Sequence, residues 1–106
     1  MKAKAKGSRI EREIVHRHEA AGIEARRVIG SGAFAYASDD LRGDVHITIG
    51  GRRLVAEVKA RSGGAGFKTI ERWLGDNDLL FLRRDRAEPI VAMPFAVYAA
   101  IINLEA

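Results

Sequence analysis

The stretch GDVHITIGGRRLVAEVK, residues 43–59, reads as two strands folded about a glycine pair. Val45, Ile47 and Ile49 alternate with Asp44, His46 and Thr48; beyond Gly50 and Gly51, Leu54, Ala56 and Val58 alternate with Arg53, Val55, Glu57 and Lys59. This is the period-two pattern of a hairpin. A Gly-Gly pair supplies the positive φ angles of a two-residue turn, so Ile49 should face Arg52, Thr48 face Arg53, and Asp44 face Glu57. The face carrying Val45, Ile47, Ile49, Leu54, Ala56 and Val58 is then the core side. On the other face, directly opposed side chains have Cβ atoms roughly 5 Å apart, where like charges destabilise. Two carboxylates at that distance repel by roughly 3 kcal/mol at an effective dielectric of about 20. Three arrangements would offset this: exposure that lets the side chains splay, a neighbouring cation such as Lys59 or Arg61, or a bound divalent metal.

The chain of 106 residues is expected to form a basic arm at 1–6, flexible because nothing there is buried, and a single domain at 7–106. It has no cysteine, which removes disulfides, thiolate zinc sites and cysteine nucleophiles and fits a reducing compartment. No apolar run approaches the length of a membrane span, and MKAKAK leads into a charged segment instead of a signal core. A cytoplasmic protein without membrane association is expected. The formal charge of +4 favours a polyanionic partner without specifying it.

Ser8 and Glu11 form a capping-box signature, after which Ile10, Ile14, Val15, His18 and Ala21 recur at helical spacing up to Gly22. Glu11 lies at the edge of this apolar stripe. A short strand is expected over 25–29, ending at Gly30-Ser31-Gly32, and residues 33–43 read as a loop leading to Asp44. After the hairpin comes a glycine-rich stretch, then a short helix over KTIERWL (68–74) with Lys68 at its start and Trp73 in the core. Leu79 to Leu82 is a continuous apolar run consistent with a strand buried on both faces, and Pro89 to Met93 is its return strand. Pro94 opens a last helix that is apolar nearly all round, which suggests a subunit contact. The order helix, strand, strand, strand, helix, strand, strand, helix describes an α/β sandwich around a central mixed β-sheet flanked by helices.

Three acids have a reason to be unusual: Asp44 and Glu57 on the ladder and Glu11 on the first helix. Lys59 lies two residues beyond Glu57, on the same strand face about 7 Å along. Oxygen ligands of this kind suit a hard cation such as magnesium. A metal held by a few carboxylates, with a lysine beside it, is equipment for phosphodiester hydrolysis.

GD at 43–44, followed by EVK at 57–59, resembles the PD-(D/E)xK nuclease signature, with Gly43 where proline is usual. Together with GSRIERE at 7–13 and RVIGSG at 27–32, it resembles the archaeal-type Holliday junction resolvases and their phage relatives, most clearly over residues 7–61. That resemblance implies a restriction-endonuclease-like fold and a homodimer that cuts branched DNA in recombination and repair. It implies magnesium, with manganese as a substitute, held by Glu11, Asp44, Glu57 and the Val58 carbonyl. Lys59 would assist the attacking water, and Ser31 would act close to the DNA. Arg9, Arg12, Arg27, Arg61 and Lys68 are the further expected DNA contacts, although no family residue aligns with Lys68.

His46 is expected to be a surface residue or DNA contact, and His16 and His18 ordinary helix residues. The alternatives to a junction resolvase are another PD-(D/E)xK replication-repair or nicking nuclease, or a catalytically silent DNA-binding module of the same fold.

Overall fold

The structure is a computed structural model that describes residues 2–28 and 42–105. Helix α1 (Lys2–Ala20) is followed by strands β1 (Glu24–Arg27), β2 (Val45–Ile49) and β3 (Arg52–Ala56). Then come α2 (Phe67–Leu74), β4 (Leu80–Leu82), β5 (Ile90–Ala92) and α3 (Phe95–Glu105), so among the described residues the element order matches the sequence reading. The chain divides into two compact units, Met1–Ala60 with Asn103–Ala106, and Arg61–Ile102.

In the first unit, α1 begins at Lys2, ahead of the expected start at Ser8. Lysine and alanine are good helix formers, so residues 2–6 extend the helix instead of forming an arm. Its stripe behaves as its spacing requires, with Val15 and His18 buried. Gly22, at φ +80°, ends the turn after α1, and Ile23 behind it enters the core. Strands β1, β2 and β3 form an antiparallel sheet in that order, with β2 central. The hairpin has the expected register: Ile49 faces Arg52, Thr48 faces Arg53, Ile47 faces Leu54 and Val45 faces Ala56. Gly50 and Gly51 both have positive φ, at +57° and +81°, the requirement of a two-residue type I′ turn. On the other edge, Ala25 faces Ile47 and Arg27 faces Val45. Val45 and Ile47 are buried, the former completely at 0% exposure, and α1 packs against β1.

In the second unit, α2 starts from Gly66 without a side-chain cap and ends where the Gly75 N–H returns to the Glu71 carbonyl. No residue of α2 is buried, and Trp73 is exposed, contrary to the expected core position. Strands β4 and β5 form a separate two-stranded antiparallel sheet in which Phe81 faces Val91. Among the described residues, therefore, there are two small antiparallel sheets, not the one mixed sheet of a full sandwich. The reason is local: the connection over 83–89 lets β4 and β5 pair antiparallel and satisfy each other's hydrogen bonds, whereas a parallel pairing needs a crossover of about a dozen residues or more. Phe81, at 67% exposure, also corrects the reading of β4 as buried on both faces. The Pro94 carbonyl accepts the first amides of α3, from Val97 and Tyr98.

Candidate active site

The base of the β2–β3 hairpin departs from simple pairing. Val45 faces Ala56, yet the Asp44 N–H also donates to the Ala56 carbonyl, at 2.9 Å. Two consecutive residues thus oppose one, the arrangement of a β-bulge, which re-aims the side chain beside it. The direct opposition of Asp44 and Glu57 expected from the register is not formed. Asp44 is tied on every side: its carbonyl accepts the Val28 N–H at 3.0 Å, and its carboxylate Oδ2 accepts the Val58 N–H at 2.8 Å. A charge-assisted bond of this kind is worth about 1.5–3 kcal/mol.

Glu57 takes the other route. Its Oε2 lies 3.3 Å from the Lys59 ammonium, and the two side chains are 59% and 61% exposed. An exposed pair like this contributes only about 0–1 kcal/mol, so it leaves both groups available to a ligand. The repulsion anticipated from the sequence is thus removed by a bulge, a backbone amide and a neighbouring cation.

Gly43 explains its own departure from the signature. Its φ is +79°, and a Cβ there would collide with Val55 Cγ1 and come within 3.1 Å of the Ala56 carbonyl. Proline, with φ locked near −65°, cannot take this backbone. Glycine delivers the chain into the bulge.

Beyond Asp44, His46 is buried, which corrects the expectation of a surface residue. It sits on the central strand, between Arg26 of β1 and Val55 of β3. Its Nε2 is 2.7 Å from the Arg42 carbonyl, an acceptor only, so Nε2 carries the proton and closes the turn that presents Asp44. Nδ1 is buried without a hydrogen-bond partner among the described residues.

Glu11 is held elsewhere in the first unit. Its Oε1 accepts from Arg27 Nε at 3.2 Å, and Arg27 Nη2 donates to Ser8 Oγ, also at 3.2 Å. The Glu11 and Arg27 side chains are 19% and 27% exposed, so this pair is shielded far better than Glu57–Lys59. The Ser8/Glu11 signature that suggested a cap serves a different partner. Because α1 already runs through Ser8, its hydroxyl turns to Arg27, a grouping that local spacing does not predict.

The expected site residues therefore fall into separate groupings. Asp44 meets Val58, Glu57 meets Lys59, and Glu11 meets Arg27 and Ser8. Arg9 and Arg12 are exposed on α1, Arg61 and Lys68 belong to the second unit, and Ser31 lies outside the described residues. The donor chemistry, carboxylates and a backbone carbonyl, is that of a magnesium site. The arrangement is not: among the described residues no three acidic, histidine or cysteine side chains converge to hold a metal ion.

A family model described as "Phage putative PDDEXK endonuclease" matches residues 2–104. The chain belongs to that family. No curated protein and no solved structure matched it. The family match supports the PD-(D/E)xK superfamily, the phage connection and the endonuclease class read from the GD and EVK motifs. Among the described residues no helix is long and apolar enough to cross a membrane.

Proposed function

We infer that this PDDEXK endonuclease is a structure-selective deoxyribonuclease that hydrolyses phosphodiester bonds at four-way DNA junctions, acting in the cytoplasm as a homodimer with magnesium. The observation that carries the reading is the meeting of Asp44 with the Glu57-Val58-Lys59 run, joined by the 2.8 Å bond from the Val58 N–H to Asp44 Oδ2. It brings the two halves of the nuclease motif to one end of the hairpin. The Lys59 ammonium, exposed and loosely paired, is suited to offset charge growing on a phosphate. Support for the junction substrate is the likeness of GSRIERE and RVIGSG to junction resolvases. Support for the dimer is α3, whose Ile101 and Leu104 are exposed on a helix without a polar face.

Magnesium is part of the proposal, with Glu11, Asp44, Glu57 and the Val58 carbonyl as its candidate holders. Ion binding then requires Glu11 and Glu57 to exchange their present partners, Arg27 and Lys59. Arg9, Arg12, Arg27, Ser31, Arg61 and Lys68 are the candidate DNA contacts.

The test is incubation of the protein with a labelled four-way junction and with linear duplex, in magnesium or in EDTA. Symmetric, magnesium-dependent cuts confined to the junction are expected, and Asp44→Asn and Glu57→Gln should each abolish them while DNA binding persists. Cutting of linear DNA would instead indicate a nicking or replication-repair nuclease. Tight binding without cleavage would indicate a silent DNA-binding module.

A further inference from the structure

The arginines of α1 and β1 divide into two kinds. Arg27 is held by Glu11, and Arg17 by Glu13 at 3.1 Å. Arg9, Arg12 and Arg26 are exposed and have neither a hydrogen bond nor an ion pair among the described residues. Two of these uncommitted guanidiniums line a cleft of about 470 Å³ between α1 and β1, formed by Arg12, His16 and Glu19 from the helix and Arg26 and Arg27 from the strand. The hollow continues along α1 past His16 and Arg12 to Arg9.

The spacing is informative. Arg9, Arg12 and His16 follow one another at three and four residues, so they share a face of α1 and climb it in steps of roughly 5–6 Å. The two arginines at this spacing repel one another. An evenly charged, elongated anion laid along the row removes that repulsion, whereas one small anion neutralises a single step. The cleft is open and apolar at its floor, where Val15 and Ala25 lie, so it has no closed cage for a small ligand. Guanidinium forks match phosphate oxygens in a bidentate manner.

We propose that the α1–β1 cleft binds the sugar-phosphate backbone of a DNA arm, with Arg9, Arg12 and Arg26 on successive phosphates and His16 between them. This rests on the nuclease reading and extends it: Arg26 and His16 lie outside the nuclease signature and become substrate contacts. Among the described residues β1 is an edge strand of its sheet.

The experiment measures fluorescence anisotropy of labelled junction DNA with the full chain in EDTA, over a salt series from about 50 to 200 mM. Each arginine that contacts a phosphate contributes about one unit to the slope of log affinity against log salt. Arg26→Gln should therefore lower the slope by about one, and the Arg12→Gln/Arg26→Gln double variant by about two. A charge-matched Arg83→Gln/Arg84→Gln variant in the second unit serves as the reference. Slopes for the cleft variants equal to that reference, with binding and cleavage intact, would overturn the cleft and leave the nuclease reading standing. Absence of any DNA binding by the wild-type chain, or binding to anionic phospholipid vesicles in its place, would overturn both. Circular dichroism of each variant separates a lost contact from a lost fold.

Discussion

Ile47 and Phe81 are each the middle residue of a strand in a hairpin, yet Ile47 is buried and Phe81 is exposed. Their neighbours differ. β2 has a strand on both edges, and α1 packs against the β1 side of the same sheet. Among the described residues β4 pairs with β5 alone, and a lone two-stranded hairpin buries neither face by itself. Apolar composition makes a strand eligible for the core; a covering layer puts it there. The base of the first hairpin brings Asp44 to Val58 through a left-handed glycine and a bulge.

The comparison breaks first at that base. Gly43→Pro should cost at least about 3 kcal/mol, because the ring cannot reach a positive φ and the new atoms meet Val55. Gly50→Ala, at the opposite end of the hairpin where a Cβ meets open space, should cost only about 1–2 kcal/mol for its φ. Urea unfolding followed by circular dichroism checks both; equal losses would contradict the crowded base.

The contrast between the hairpins is sharpened by Val45→Ala, expected to cost about 2 kcal/mol, against Phe81→Ser, expected to stay within about 0.5 kcal/mol of wild type. A large loss at Phe81 would mean that its face is covered in solution, as a subunit contact would do. Within the first unit, Arg27→Ala strands a shielded carboxylate and should cost about 1–3 kcal/mol. Arg17→Ala breaks only an exposed pair, and its effect on thermal unfolding should be about 0.5 kcal/mol or less.

The smallest effect belongs to the second unit. Burial raises the Tyr98 phenol above its ordinary ionisation range. A raised folded value means the contribution is complete below about pH 10 and is lost as pH rises through that value. Stability of Tyr98→Phe and wild type should therefore run parallel in pH titrations up to about pH 10 and diverge above it, with the wild type falling faster.

Much of this was legible from local pattern. The alternation around Gly50-Gly51 set the register, because a two-residue turn leaves one pairing that keeps Val45 and Ile47 on the core side. The stripe of α1 placed Val15 and His18 for the same reason. The Glu57–Lys59 pair lies beyond Ala56, where β3 ends, so the expected strand spacing does not account for it. The bulge at Asp44 was not legible, since one extra residue in a ladder is visible only in where the amides point. Neither was the burial of His46: alternation assigns a face but does not say what lies over it. The Ser8–Arg27–Glu11 grouping joins residues far apart in the chain, and the local signature at Ser8 had a nearer explanation.

Local pattern alone set the order of the described elements, the hairpin register and the chemical identity of the acids and the lysine, because these depend on neighbours a few residues away. Tertiary structure alone decided which partner each acid holds, why position 43 must be glycine, and which apolar strand becomes core. Those outcomes turn on hydrogen bonds and covering layers between distant segments, whose geometry no short-range period encodes.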